Sequence, residues 1–400
     1  MTTPASLYRN AIDLNRYSNS VARRIINAYD AIILDAVAQL QTLDEATAPV
    51  KAARLRAILA QLKDSLATWA GDATEITATD LQGLAELQSE FVEEQLKRVL
   101  PAGERNIVRS VEISPQFAQS VVVTDPTQIN VVTLSDDLFA AVQGAPQTFS
   151  LTAAQGATIT LPNGKVVEKA FRGIAEDQAE KFAQLVRQGL LTGEPTADIA
   201  RRIKGSLQFG QEAKSIKQLA LAGGELTKAT NHQVVTLVRT SVNQVANAAS
   251  QQIYEANQDI TKKYRFVATL DSRTSAICRA LDGREFEYGK GPMPPQHFNC
   301  RSTTVPIVDY EALGFDPPPE GKRAAAGGMV PADTSYGDWL YDKNSETGRK
   351  RQAEVLGSKA PYFRKLVRKY GAKDAVAKLV RDDGSELTLQ QLRSRYGRVQ

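Results

Sequence analysis

The sequence predicts an α+β protein that is mostly helical, with a small β insert and a compact Cys/His-containing α+β module. Apolar residues recur at steps of three and four over much of the first hundred residues and again at about 174–253, which is the period of an amphipathic helix. Short β-branched runs occupy about residues 111–167. Both cysteines, Cys278 and Cys300, lie within 23 positions near an extended run.

The N-terminal residues are expected to form long helices that pack as a bundle. Pro49 stands where a helix would begin, and a stripe of apolar residues follows it: Leu55, Ile58, Leu62, Leu66 and Trp69. A second stripe from Leu81 to Phe91 follows Thr79-Asp80. We expect Thr79-Asp80 to cap a separate helix. We expect the apolar faces of these helices to pack on one another, in preference to packing on a partner chain.

Changes in composition and in the spacing of apolar residues along the chain predict five segments. Asn163-Gly164 predicts a hairpin within the β insert. The period of a long helix runs from Val235 to Ile253 and ends near Asn257, before an extended run at Tyr264–Thr269. The predicted segments are a helical module at 1–110, the β insert at 111–168, the Cys/His module at 169–310, a Pro/Gly/Ala linker at 311–335 and a basic helical tail at 336–400.

Composition narrows the class of protein. With 400 residues, 42% hydrophobic and 24% charged, the chain is long enough and apolar enough to be globular. No stretch approaches the ~20 apolar residues of a membrane span, and the N-terminus lacks a signal-peptide pattern. We therefore expect a soluble protein with no membrane partner. Two cysteines cannot form a disulfide framework.

Positive charge is concentrated at the C-terminal end. The net charge is +4, yet residues 341–400 carry 15 Lys and Arg against seven Asp and Glu, which leaves −4 for the rest. Such an end can meet DNA phosphates or an acidic protein face. By charge alone, a solvated helical tail is the simpler interpretation.

Cys278, His297 and Cys300 form a candidate metal site. The spacing His297-x-x-Cys300 lets two side chains reach one ion, and a structural Zn²⁺ would take Asp282 or Asp271 as a fourth ligand. Two alternatives stay open: buried thiols beside a hydrogen-bonded histidine, and a disulfide, which a reducing cytoplasm disfavours.

Neighbouring residues are interpreted as architecture. Asp271-Ser272-Arg273-Thr274 predicts an Asx turn with an arginine paired to a carboxylate, and catalytic use of Asp271 and Arg273 is the less favoured alternative. Residues 289–295 lack the order of a phosphate-binding loop. His232 is expected to be a partly exposed or capping residue.

The chemistry-bearing segment resembles the phage Mu protein F-like minor head (head morphogenesis) family. The resemblance is carried by Asp271–Thr274, Cys278, Leu281–Gly283, Pro294-Pro295, His297, Asn299–Ser302 and Pro306, with Leu191–Gly193, Ile199-Ala200, Arg239-Thr240 and Asn243-Gln244 upstream. Downstream, Tyr336–Leu340, Glu354–Gly357 and Leu387–Arg393 are similar to a tail that many such proteins carry. The likeness covers about residues 170–395.

The resemblance implies a virion protein at the portal vertex inside the capsid, present in the host cytoplasm during assembly. Its implied roles are procapsid assembly and DNA packaging or delivery, without enzymatic activity. Its expected partners are the portal protein, the major capsid or scaffolding protein, and double-stranded DNA through the basic tail. The alternative from the residues themselves is a zinc-dependent hydrolase or nuclease. A transferase has less support because no Gly-rich phosphate loop follows a strand.

Overall fold

Long helices form the N-terminal part of the computed structural model, which describes residues 3–45, 48–120, 167–208, 215–318, 321–342, 346–381 and 384–397. The first helices are α1 (Thr3–Gln41), α2 (Ala48–Val99) and the short α3 (Phe117–Ser120), with 3-10 turns at Thr42–Glu45 and Ala102–Ile107. They are followed by α4 (Val167–Leu191), α5 (Thr196–Lys204), α6 (Ile216–Ala222) and α7 (Glu225–Ala256).

Helices α1, α2, α4 and α7 pack on one another around a shared apolar core. Trp69 is near its centre: its ring centroid lies 5.3 Å from that of Tyr29 and 5.9 Å from that of Phe171, and its Nε1 donates to the carbonyl of Ile25 at 3.0 Å. The indole is thus buried with its one polar atom paired. The predicted bundle and the stripe that ends at Trp69 are observed.

The prediction of a separate helix after Thr79-Asp80 is wrong, because α2 is continuous over 52 residues. The carboxylate of Asp80 pairs with Arg24, and the carbonyl of Asp80 accepts from Tyr17 Oη at 3.0 Å. Both partners belong to α1, so this polar site holds two helices together instead of capping one. Leu87, from the second predicted stripe, is 66% exposed.

A three-stranded antiparallel sheet follows the bundle. Its order is β2-β1-β3, with β1 (Thr261–Val267), β2 (Glu285–Glu287) and β3 (Thr303–Val308). Tyr264 at the centre of β1 faces Phe286 on β2 and Pro306 on β3. The short helix α8 (Ala276–Leu281) lies between β1 and β2 in the chain. The fold class is therefore confirmed as mostly helical α+β.

Most of the predicted β insert lies outside the described residues, including Asn163-Gly164. Residues 111–120 are described and contain α3 but no strand. The segment that the sequence predicts as a linker contains the one-turn helix α9 (Tyr310–Leu313) and a hairpin of β4 (Lys322–Ala325) and β5 (Gly328–Pro331). The hairpin lies against the segment that follows β1, where the N–H of Ala326 donates to the carbonyl of Leu270 at 2.8 Å.

We call β1–β3, α8 and their connecting loops the sheet module. A buried ion pair attaches the hairpin to this module. Arg323 on β4 donates to both carboxylate oxygens of Asp282, at 3.1 and 3.3 Å, and their side chains are 4% and 0% exposed. Asp282 also accepts the N–H groups of Ala268, at 2.7 Å, and Tyr336, at 2.6 Å. The ring of Tyr8 on α1 covers the guanidinium. Five segments of the chain therefore meet at one charge pair.

The C-terminal helices pack onto the sheet module. They are α10 (Tyr336–Tyr341), α11 (Glu346–Leu356), α12 (Ala360–Tyr370), α13 (Ala372–Ala377) and α14 (Leu389–Tyr396), with a 3-10 turn at Gly357–Lys359. Ala377 and Val380 share an apolar core with Cys278 and Cys300. Glu386 pairs with Arg279 of α8 at 2.7 Å. The predicted tail is thus helical, and it is part of the same folded body.

Asp30 on α1 predicts that the stability of the bundle depends on pH. Its carboxylate has no hydrogen-bond partner among the described residues, and burial raises the pKa of Asp30 to about 7. In an unfolded chain the pKa of an Asp is ~3.9. The folded chain therefore binds more protons between these two values, and stability falls as the pH rises from about 4 to 7.

We expect Asp30→Asn to remove this loss, raising the free energy of unfolding at pH 8 by up to about 4 kcal/mol while changing little at pH 4. Thermal melts across this pH range measure the difference. Asp35→Asn, at an exposed position of the same helix, is the control. A variant at Asp30 with the wild-type pH profile would contradict the assignment.

Candidate functional site

The three predicted metal ligands meet in a buried pocket of the sheet module. Cys278 lies on α8, whose first residue is preceded by the N-cap Ser275. His297 and Cys300 lie on the loop that connects β2 to β3. Cys278 and Cys300 are 1% and 2% exposed, and His297 is only partly exposed. Residues separated by 22 positions in the chain are thus brought together, as the sequence predicts.

Two of the three distances between the ligand atoms match those of a tetrahedral zinc site. The two Sγ atoms are 3.8 Å apart, and Cys278 Sγ lies 3.4 Å from His297 Nε2. All three atoms lie within 4.8 Å of one another. With Zn–S near 2.3 Å and Zn–N near 2.0 Å, tetrahedral ligands should be about 3.8 Å apart for S···S and about 3.5 Å for S···N. The donor set therefore suits Zn²⁺.

The same distances exclude a disulfide in this structure, since bonded sulfur atoms are about 2.05 Å apart. Both cysteines are free. The second alternative, thiols beside a hydrogen-bonded histidine, is compatible with the same side-chain positions: His297 Nδ1 lies 2.8 Å from the carbonyl of Phe298. That contact orients the ring so that Nε2 faces Cys278.

The two thiols have opposite electrostatic environments. Burial alone would raise the pKa of Cys300, but hydrogen bonds from Cys278 and His297 outweigh it and hold that pKa well below the usual range. The hydrogen bond to Cys300, together with burial, raises the pKa of Cys278. Burial opposes charge on His297, yet its contact with Cys300 raises the pKa of the imidazole. Of the two cysteines, Cys300 is therefore the one whose surroundings favour the thiolate, which is the form that binds a metal.

Neither candidate fourth ligand lies in this cluster. Asp282 is paired with Arg323, as described above. Asp271 accepts a bidentate pair of hydrogen bonds from Arg301, at 2.6 and 2.8 Å. These contacts outweigh burial and lower the pKa of Asp271. Within the described ranges, the protein ligands that the structure brings together are three: Cys278, His297 and Cys300.

The turn predicted at Asp271–Thr274 is present. Asp271 Oδ1 accepts the N–H of Arg273 at 3.0 Å, which is an Asx turn. The main arginine partner of the carboxylate is Arg301, whereas Arg273 lies 3.5 Å away and is 78% exposed. His232, the other histidine, is exposed on α7 and away from the cluster.

Helix α7 holds the ligand-bearing loop through Thr240 and Asn243, which the sequence offered only as part of the family resemblance, and through Thr236, which it did not single out. Thr240 Oγ1 accepts the N–H of Asn299 and Thr236 Oγ1 accepts its side-chain amide, both at 3.0 Å. Asn243 Nδ2 donates to the carbonyl of Ser302 at 2.8 Å. Asn299 adopts a left-handed φ of 58°, a conformation that Asn tolerates better than most residues. The available signal was the spacing of Thr236, Thr240 and Asn243, which puts three polar groups on one helix face.

The part of the chain that contains the cluster matches a known family. Residues 180–305 match the family model described as Phage Mu protein F like protein. The resemblance stated from the sequence is therefore confirmed over these residues. The matched range begins inside α4 and ends within β3.

Two curated proteins are similar to parts of the chain. One is named NAD(+)–arginine ADP-ribosyltransferase EFV, from Enterococcus faecalis, and is 24% identical over 45% of this chain and 35% of its own length. The other is an uncharacterized protein of Haemophilus influenzae, 27% identical over 34% of this chain and 27% of its own. The chain thus spans about a third of each relative or less. No solved structure is a significant match.

The ligand geometry predicts one zinc ion per chain. Elemental analysis of the purified protein should find it in the wild type and in His232→Gln, the control at the second histidine, and should not find it in His297→Gln or Cys300→Ser. Cys300→Ser should also lower the melting temperature, because a hydroxyl takes the place of a buried sulfur atom that contacts Cys278, at a cost of about 1–3 kcal/mol. Zinc retained by His297→Gln would contradict the assignment, and so would Cys300→Ser with wild-type stability.

Proposed function

We propose that this chain is a minor head protein that associates with the portal vertex inside a phage capsid and acts in procapsid assembly and DNA packaging or delivery. The match of residues 180–305 to the Mu F-like family carries this proposal. The expected location is the capsid interior of the virion, reached from the host cytoplasm during assembly. Among the described helices, none is long and apolar enough to cross a bilayer.

The long N-terminal helices are suited to contacts with other proteins. Helix α2 has 52 residues and at 1.5 Å per residue is about 78 Å long. Helices α1 and α2 therefore offer an extended surface for the portal protein and for the major capsid or scaffolding protein. Leu87 on α2 is an exposed apolar residue of this surface.

The cluster itself supports a structural role, and we propose that the chain is not an enzyme. A zinc hydrolase needs a general base beside the metal-bound water. The two nearby carboxylates, Asp271 and Asp282, are each held by an arginine, and the two sulfur atoms are buried. The ADP-ribosyltransferase activity is named for an E. faecalis protein of which this chain matches about a third, so that name does not support an enzymatic role for this chain.

The portal assignment is tested by assembly in infected cells. We expect an epitope-tagged chain to co-purify with empty shells and mature heads, and to bind purified portal protein of the same phage. Shells assembled without portal protein serve as the control and should contain much less of the tagged chain. Heads that lack the chain, together with no binding to the portal protein, would overturn the proposal.

The DNA assignment rests on the basic face of the C-terminal helices, defined here by Arg368, Arg393 and Arg395. All three side chains are exposed. Helices α12 and α14 meet at the end of α14, where Lys365 Nζ donates to the carbonyl of Tyr396 at 2.6 Å. The three positive charges therefore lie on two helices that are joined at this contact, and all three are accessible to DNA phosphates.

Neutralising this face tests DNA binding without removing helices that pack on the cluster. The triple variant Arg368→Gln, Arg393→Gln, Arg395→Gln should bind duplex DNA more weakly, with a slope of log affinity against log salt that is smaller by up to about 3. The control neutralises three exposed cations of α2, Arg54, Arg56 and Lys63. Equal affinity and salt slope in both variants would remove the DNA role from this face.

A further inference from the structure

A cavity of about 210 Å³ lies where α1 meets the sheet module. One wall is α1, which contributes Tyr8, Ile12 and Asn15. The other walls come from the end of β1, the Asp271–Thr274 turn, the start of β3 and the hairpin strand β4. Typical pockets for drug-sized ligands measure ~300–1,000 Å³, so this cavity suits a small ligand or one group of a larger one.

Three arginines line the cavity: Arg273, Arg301 and Arg323. Arg323 is neutralised by Asp282 and is part of the fold. Arg301 is 21% exposed and paired with Asp271, whereas Arg273 is largely exposed and meets the same carboxylate only at 3.5 Å. Arg273 therefore presents most of its donors to the mouth of the cavity.

A fourth arginine lies near two of these residues. Arg239 on α7 is half-buried, and its Nε and Nη2 atoms donate to the neutral Oδ1 of Asn19, at 3.0 and 2.7 Å. Burial and the charges of Arg273 and Arg301 lower the pKa of Arg239. Asp271 is paired with Arg301 and Arg273, so these three guanidinium groups and this one carboxylate carry a net charge of +2.

We propose that this cavity binds a phosphate group, held between Arg273 and Arg301, with Arg239 supplying additional positive charge. Planar guanidinium groups bind phosphate oxygens through paired hydrogen bonds. An excess of cations in a partly dehydrated recess is stabilised by an entering dianion. The phosphate can belong to a small molecule or to the backbone of DNA. The proposal does not depend on the portal assignment, because it is tested on the purified chain.

The carboxylate of Asp271 would compete with a bound phosphate for Arg301. It takes both terminal nitrogens of Arg301, as a bound phosphate would. An entering phosphate therefore competes with Asp271 mainly for Arg301, because the contact of Arg273 with that carboxylate is longer, at 3.5 Å. Removing the carboxylate charge should strengthen phosphate binding, whereas removing an arginine should weaken it.

The test is calorimetric titration of the full chain with inorganic pyrophosphate at constant ionic strength. We expect Arg273→Gln and Arg239→Gln each to weaken binding about tenfold, because each removes a charged donor or a nearby positive charge. Arg187→Gln, at an exposed position of α4, is the control and should bind as the wild type does. Asp271→Asn should bind more tightly than the wild type, an effect that simple damage to the fold would not produce.

A parallel titration with a short DNA duplex distinguishes the two sources of phosphate. If the ligand is DNA, Arg273→Gln weakens duplex binding as well, and the effect adds to that of neutralising the basic face. If the ligand is a small molecule, the variant weakens pyrophosphate binding and leaves duplex binding unchanged. Wild-type affinity for both probes in Arg273→Gln and Arg239→Gln, or no binding of either probe by the wild type, would overturn the proposal.

Discussion

The buried pair of Asp282 and Arg323 is the interaction on which the arrangement of the sheet module depends. Each charge would be costly to bury alone. Arg323 and the N–H groups of Ala268 and Tyr336 together give the carboxylate of Asp282 four hydrogen bonds. Because its partners come from β1's end, α8, β4 and α10, the position of each segment fixes the others. Tyr8 brings α1 to the same point, so the bundle and the sheet module share a joint.

Helix α7 is the second connection between the two parts. Its 32 residues extend about 48 Å, with one face packed on α1, α2 and α4. Thr236, Thr240 and Asn243 use another face to hold the loop that carries His297 and Cys300. The cluster is therefore positioned from two sides: α8 places Cys278, and a bundle helix places the other two ligands. A metal bound there would join parts of the chain that helix packing has already brought near.

The sequence was informative where a local pattern has a single physical cause. The apolar stripes predicted the first part of α2 and most of α7 because buried apolar residues must share a face, and the His297-x-x-Cys300 spacing predicted a shared site. The role of Arg323 could not be predicted: its partner is 41 residues away, and an arginine in an Ala/Gly-rich segment gives no sign that it is buried. The continuity of α2 through Thr79-Asp80 depended on contacts from α1, which local capping rules do not contain.

The burial of Arg323 has a consequence for where this protein can be divided. The family match stops at residue 305, before the hairpin that supplies this guanidinium. A fragment cut at that border would retain Asp282 in an apolar interior with no cation and would expose the face that Ala377 and Val380 cover. The stretch that matches the family is therefore shorter than the set of residues that encloses this ion pair and the cluster, which extends into the C-terminal helices.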